Sequence, residues 1–263
     1  MEKNGITNLR MERQRLVTPM NINEYDKFFK LMCPVQTVYW CAPGDPPCLW
    51  HRANFNDFDY NKQRRSEREI IKGRFQGGGI AYICPDELEL YAGAYKRSDD
   101  RLSFEEQGML EFLQHEGPIN IQLIKEMKGM LVKEITPILH KLQEAFLVYE
   151  DQIDSEGDRG WYIFESEFEG VDLNKFTRVE ALKELVLRFT YLNILVDIEM
   201  IKSFYHLPVR DIKEALLELS KENKIKLATF GNMLGYILTS DAAEIAEFSE
   251  TINKSVFVFV MIF

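Results

Sequence analysis

The sequence predicts an α+β, mostly helical protein: an N-terminal α/β domain followed by tandem winged helices, each a helix-turn-helix with an added β-hairpin. Three observations predict it. Over residues 136–165 a Thr-Pro helix start and a helical apolar stripe (Ile138, Leu139, Leu142) lead into two apolar and aromatic runs, 146–149 and 161–164, around a polar tip. The same apolar pattern returns 77 residues later without a gap: Phe112 falls on Phe189, Ile121 on Ile198, Ile124 on Ile201, Leu139 on Leu216, Leu142 on Leu219 and Val148 on Ile225. Basic residues keep pace with acidic ones only in the first hundred positions, which carry 15 basic and 14 acidic side chains against 17 and 28 in the rest.

In chain order, residues 1–18 are a frayed polar lead. Residues 21–32 form a helix capped by Asn23, with Tyr25, Phe28, Phe29 and Met32 on one face, and Pro34 ends it. Residues 35–60 are loop-like, pinned by Trp40, Trp50 and Phe55. The basic run 62–74 is a helix or a helix–strand edge. Gly77-Gly78-Gly79 breaks it with a tight turn, 80–83 is a short strand, and Cys84-Pro85-Asp86-Glu87 opens a helix reaching about Arg97. Ser98-Asp99-Asp100 closes this domain at residue 100.

The first winged helix, 101–170, starts with a helix capped by Ser103 and stopped by Glu116-Gly117-Pro118. A second helix over 120–128 and a turn at Gly129 precede the Thr136 helix and the hairpin. The second, 171–250, has helices marked by Ala181, Leu182, Leu185 and Val186, by 197–206, and by 210–221 behind Pro208. A shorter wing turns at Gly231-Asn232, and 241–248 is a closing helix. The tail 251–263 ends in an apolar run that reads as a buried strand.

A net charge of −10 argues against a general nucleic-acid coat, because affinity for phosphate comes from Lys and Arg. Four cysteines in no secreted-scaffold spacing imply reduced thiols. There is no signal-peptide pattern and no apolar run of membrane-spanning length, so a cytoplasmic protein without membrane association is expected. Nothing calls for a cofactor. Cys41, Cys48 and His51 do not form a standard zinc frame, so no metal is expected.

The candidate polyanion-binding residues are Lys62, Arg64, Arg65, Arg68, Lys72 and Arg74, flanked by Tyr60 and Phe75, which could stack on a base. Lys133, His140 and Lys141 on the third helix of the first repeat join them. An acidic wing (Asp151, Asp154, Glu156, Asp158) works against groove reading there. Asp57 and Asp59 would share a face if they lay on a strand, and paired carboxylates can do acid–base work. His51 lies between Trp50 and Arg52 and is a third catalytic candidate.

Several segments resemble the winged-helix DNA glycosylases of the AlkZ type, and more closely their shorter AlkZ-related branch. They are Pro47-Cys48-Leu49-Trp50-His51, Gly73-Arg74-Phe75, Ile83-Cys84-Pro85, Gly160-Trp161-Tyr162-Ile163-Phe164 and Ala181-Leu182. The similarity spans about residues 25–245. It implies a scaffold of stacked winged helices that holds DNA and excises bulky or crosslinked alkylated bases. Catalytic members use Gln-x-Gln or Gln-x-Asp to position the attacking water. Here Gln36-Thr37-Val38 stands in that place: Gln36 fills the first position, and Val38 has no hydrogen-bonding group for the second. The expected partner is DNA, duplex or damaged, with glycosylase activity resting on an incomplete motif. The alternative is a catalytically inactive adaptor or regulator that docks a protein partner or a second copy.

Overall fold

The computed structural model describes residues 5–36, 47–49, 51–77, 79–99, 101–152, 159–230 and 233–245. Val38, Trp40, Cys41, Trp50, Asp100, the wing tip 153–158, Gly231-Asn232 and the expected closing helix beyond 245 lie outside them, as does the apolar tail.

The chain opens with helix α1 (Gly5–Arg13), where the composition suggested a frayed lead. What holds it is long-range pairing. Arg10 donates to Asn193 Oδ1 at 2.9 Å, and Arg13 pairs with the buried Asp241 carboxylate at 2.6 Å while lying over the Tyr191 ring. Helix α2 (Ile22–Met32) buries Tyr25, Phe28 and Phe29 as expected. Its cap is Asn21 rather than Asn23: Asn21 Oδ1 accepts the Glu24 N–H, and Glu24 returns a carboxylate to the Asn21 N–H.

Helix α3 (Asp57–Ser66) comes next, then an antiparallel hairpin of β1 (Ile71–Gln76) and β2 (Gly79–Ile83), turning at Gly77 with φ +56°. The basic run is thus divided between a helix and a strand. A 3-10 turn at Pro85–Glu87 leads into α4 (Leu88–Tyr95).

The first repeat consists of α5 (Phe104–Glu116), β3 (Ile119–Asn120), α6 (Ile121–Lys128), α7 (Val132–Glu144), β4 (Val148–Gln152) and β5 (Arg159–Ile163), its sheet ordered β3-β5-β4. Ser103 and Glu106 close a capping box on α5. Helix α7 begins a turn earlier than Thr136-Pro137 suggested. Glu134 accepts the Leu131 N–H at 2.9 Å and caps the new start, and Thr136 Oγ1 donates back to Val132 O, leaving Pro137 inside the helix. The core gathers Met109, Leu113, Ile119, Ile124, Ile135, Leu139, Leu142, Val148 and Trp161.

After the short α8 (Phe164–Glu167), the second repeat supplies α9 (Arg178–Asn193), α10 (Ile198–Tyr205), α11 (Val209–Lys221), β6 (Ile225–Phe230) and β7 (Met233–Leu238). The 77-residue offset carries α6 onto α10 and α7 onto α11 residue for residue. The caps correspond too. Asn120 accepts the Leu123 N–H at 2.9 Å, and Asp197 accepts the Met200 N–H at 2.8 Å. Left-handed residues also fall in register, Gly129 with His206 and Phe146 with Asn223. The Val196–Tyr236 bridge occupies the place of β3. Val148 pairs with Ile163 in one hairpin and Ile225 with Leu238 in the other, so the second is two residues shorter.

Among the described residues, one compact unit joins those of 1–32, 49–57 and 178–245, and the other those of 33–48 and 58–177. No helix among the described residues is long and apolar enough to cross a membrane.

Candidate functional site

Of the polar residues singled out by sequence, Gln36, Lys72, Arg74 and His140 meet around β1, inside the second unit. Along the strand Gly73 and Phe75 lie together while Lys72 and Arg74 both approach Glu150, and the register shifts between Gly73 and Gln76. Phe75 packs against Phe146 (centroids 5.7 Å apart) and Tyr91. Its ring lies so close over Gly73 that a Cβ there would meet it at 2.4 Å, which explains the glycine.

The polar row faces groups from β4 and α7. Lys72, only 5% exposed, sits 3.6 Å from the Glu150 carboxylate. Arg74 is in the field of Glu144 and Glu150. At the end of the row Gln76, buried, accepts a hydrogen bond of 2.5 Å from the Gln36 Nε2, while Gln36 itself is exposed. Gln76 was missed by the sequence reading, because its partner Gln36 lies forty residues away and no local pattern marks it.

Two more cations of the basic run, Arg64 and Arg68, are held by neighbours in the same unit. Arg64 is buried, donates to Asn61 Oδ1 at 3.1 Å, lies over the Tyr60 ring and approaches Glu69. Asn61 in turn donates to Pro47 O. Arg68 adopts φ +57° and binds Asp151 at 3.1 Å and Glu167, with its guanidinium over Tyr162. Arg65 is half-buried. Arg64 and Lys72 therefore serve first as interior counter-ions, because a buried cation without a partner would be costly.

On α7, Lys133 is exposed, whereas Lys141 reaches Glu106 at 3.5 Å. His140 is half-buried. Burial first and the Arg74 guanidinium second push its pKa down, against Glu150 and Glu144. A neutral imidazole offers phosphate no charge. Lys62 and Lys133 are the two members of the set that are exposed and form no ion pair among the described residues.

The expected carboxylate pair does not form. Asp57 and Asp59 lie in the first turn of α3, where residues two apart diverge by about 200° around the axis. Asp57, in the first unit, accepts from the Tyr25 hydroxyl at 2.9 Å and the Leu49 N–H at 2.6 Å, tying a loop to α2. Asp59 is exposed. His51 is exposed with φ +59°. No group of three or more His, Cys, Asp or Glu among the described residues is arranged to hold a metal ion.

No family model matches the sequence, and no curated protein does. Among solved structures the fold is similar to that of the Streptomyces sahachiroi DNA glycosylase AlkZ, with a TM-score of 0.69 over 92% of this chain and 71% of that one. Identity is 13%, so the likeness concerns the fold: α+β, mostly helical, with small sheets.

Proposed function

We propose that the two repeated units are winged helices, and that the chain binds duplex or damaged DNA and hydrolyses the bond between a damaged base and its deoxyribose. The observation that carries this reading is the fold shared with a DNA glycosylase over nearly the whole chain, with Gln36 hydrogen-bonded to a second side-chain amide, Gln76. Val38 supplies no polar group, and Gln76 answers that lack. In this reading, two amides hold a water at the sugar carbon as the base departs with the bonding electrons. Lys62 and Lys133 contact phosphates, and Tyr60 offers a stacking surface.

The test is a base-release assay on alkylated duplex, with abasic sites read by alkaline strand cleavage. Wild type releases base; Gln36→Ala and Gln76→Ala each lower the rate at least tenfold while DNA affinity changes less than twofold. Wild-type protein that binds but releases nothing removes the catalytic half of the proposal.

A second reading, a non-catalytic adaptor for a basic protein partner, draws on the net charge of −10 and the internal use of most of the basic run. It predicts no DNA affinity even at low salt.

A further inference from the structure

Cys33 leaves α2 and Cys84 follows β2, and a short antiparallel pairing brings them together. Val35 and Tyr82 exchange both backbone hydrogen bonds, at 2.9 and 2.8 Å. Cys33 precedes Val35 by two residues and Cys84 follows Tyr82 by two, so the bridge brings both to the same end of the pairing. Both are free thiols, 0% and 8% exposed. The Cys33 S–H and the Cys84 sulfur are hydrogen-bonded to each other.

We propose that Cys33 and Cys84 form a redox modification site, which a hydroperoxide converts into a cross-strand disulfide. The surroundings assign the order of attack. Burial first, then the hydrogen bond to Cys84, pushes the Cys33 thiol up; the hydrogen bond from Cys33, with help from the Arg64 guanidinium, pulls the Cys84 thiol down. Cys84 is also the one with residual exposure, so its thiolate meets the oxidant. The Cys84 thiolate attacks a peroxide oxygen, the O–O bond breaks, and hydroxide leaves as the sulfenic acid forms. The Cys33 sulfur then attacks the Cys84 sulfur, its proton joins the departing hydroxyl as water, and the S–S bond closes. Together the two sulfurs lose two electrons and the peroxide gains them. The disulfide locks the Val35–Tyr82 pairing, one residue from Gln36. The site stands on this geometry alone, whether or not the chain acts on DNA.

The experiment treats the full-length protein with hydrogen peroxide, blocks remaining thiols by alkylation in denaturant and maps peptides by mass. A Cys33–Cys84 linked peptide, two hydrogens lighter than its parts and lost on reduction, is expected. Cys33→Ser should leave a Cys84 sulfenic acid that a cyclic 1,3-dione traps, and Cys84→Ser should leave Cys33 unoxidised. The wild-type map decides even if either variant fails to fold. Alkylation of both thiols after peroxide, or cross-linking through Cys41 or Cys48 instead, overturns the proposal.

Discussion

Arg64 and Arg68 are four residues apart and do different work. Arg64 is 5% exposed, donates to Asn61 and lies over the Tyr60 ring, whereas the Arg68 side chain is 38% exposed between Asp151 and Glu167. Solvent screens the second set far more than the first. Arg64→Ala should therefore cost about 2–4 kcal/mol and Arg68→Ala about 1 kcal/mol, measured by urea unfolding. Equal losses would contradict the assignment of Arg64 to the interior. Glu106 makes a second residue-scale case. Hydrogen bonding from Arg97, and further from the Ser103 N–H and Lys141, holds its carboxyl below the ordinary value of 4.5 despite burial. The unfolded chain therefore binds the proton more readily. The contribution is complete above pH 4.5 and disappears as pH falls through the lowered folded value. Glu106→Gln should flatten that acid limb of a urea-midpoint-versus-pH curve and lower stability at neutral pH.

At the level of elements, the duplication allows each helix end to be compared with its twin. Gly129 at φ +63° and His206 at φ +54° end α6 and α10 in the same left-handed conformation, which costs a side chain roughly 1 kcal/mol. His206→Gly should raise the thermal midpoint and Gly129→Ala should lower it, each by the equivalent of about 0.5–1 kcal/mol. Two changes in the same direction would mean the twins are not equivalent. This offset was readable in the sequence because apolar residues at helical spacing mark buried faces directly, as Leu139 and Leu216 do. Boundaries were harder to read. Thr136-Pro137 imitates a helix start, yet the Glu134 cap one turn earlier takes precedence. Helix α1 was invisible for a related reason: its anchors, Asn193 and Asp241, lie far along the chain, and no local pattern points to them. The polar row on β1 was half legible. Its charges stood out as a basic run, but their partners Glu150, Glu144 and Gln36 come from other elements, so the run looked like an exposed surface.

Over the whole molecule, the balance of charge limits the DNA contact that the proposed function can use. The chain carries −10, and Arg64, Arg68 and Lys72 are already matched to Asn61, Asp151, Glu167 and Glu150. A protein coating DNA would neutralise many phosphates, and the basic run has few cations left to offer. If it binds through Lys62, Lys133 and a small number of others, the logarithm of affinity should fall against the logarithm of salt with a slope of only about −2 to −4. The paired change Lys62→Ala and Lys133→Ala should flatten that slope by about 2, since each lost phosphate contact removes close to one unit. Fluorescence anisotropy of a labelled duplex across a salt titration gives both numbers. Arg64→Ala and Lys72→Ala are the informative contrast. They should lower the unfolding midpoint while leaving the slope of whatever protein remains folded unchanged. A slope that responds to Arg64 and Lys72 but not to Lys62 and Lys133 would mean that β1 opens to receive DNA, and that the ion pairs around it belong to the unbound state alone.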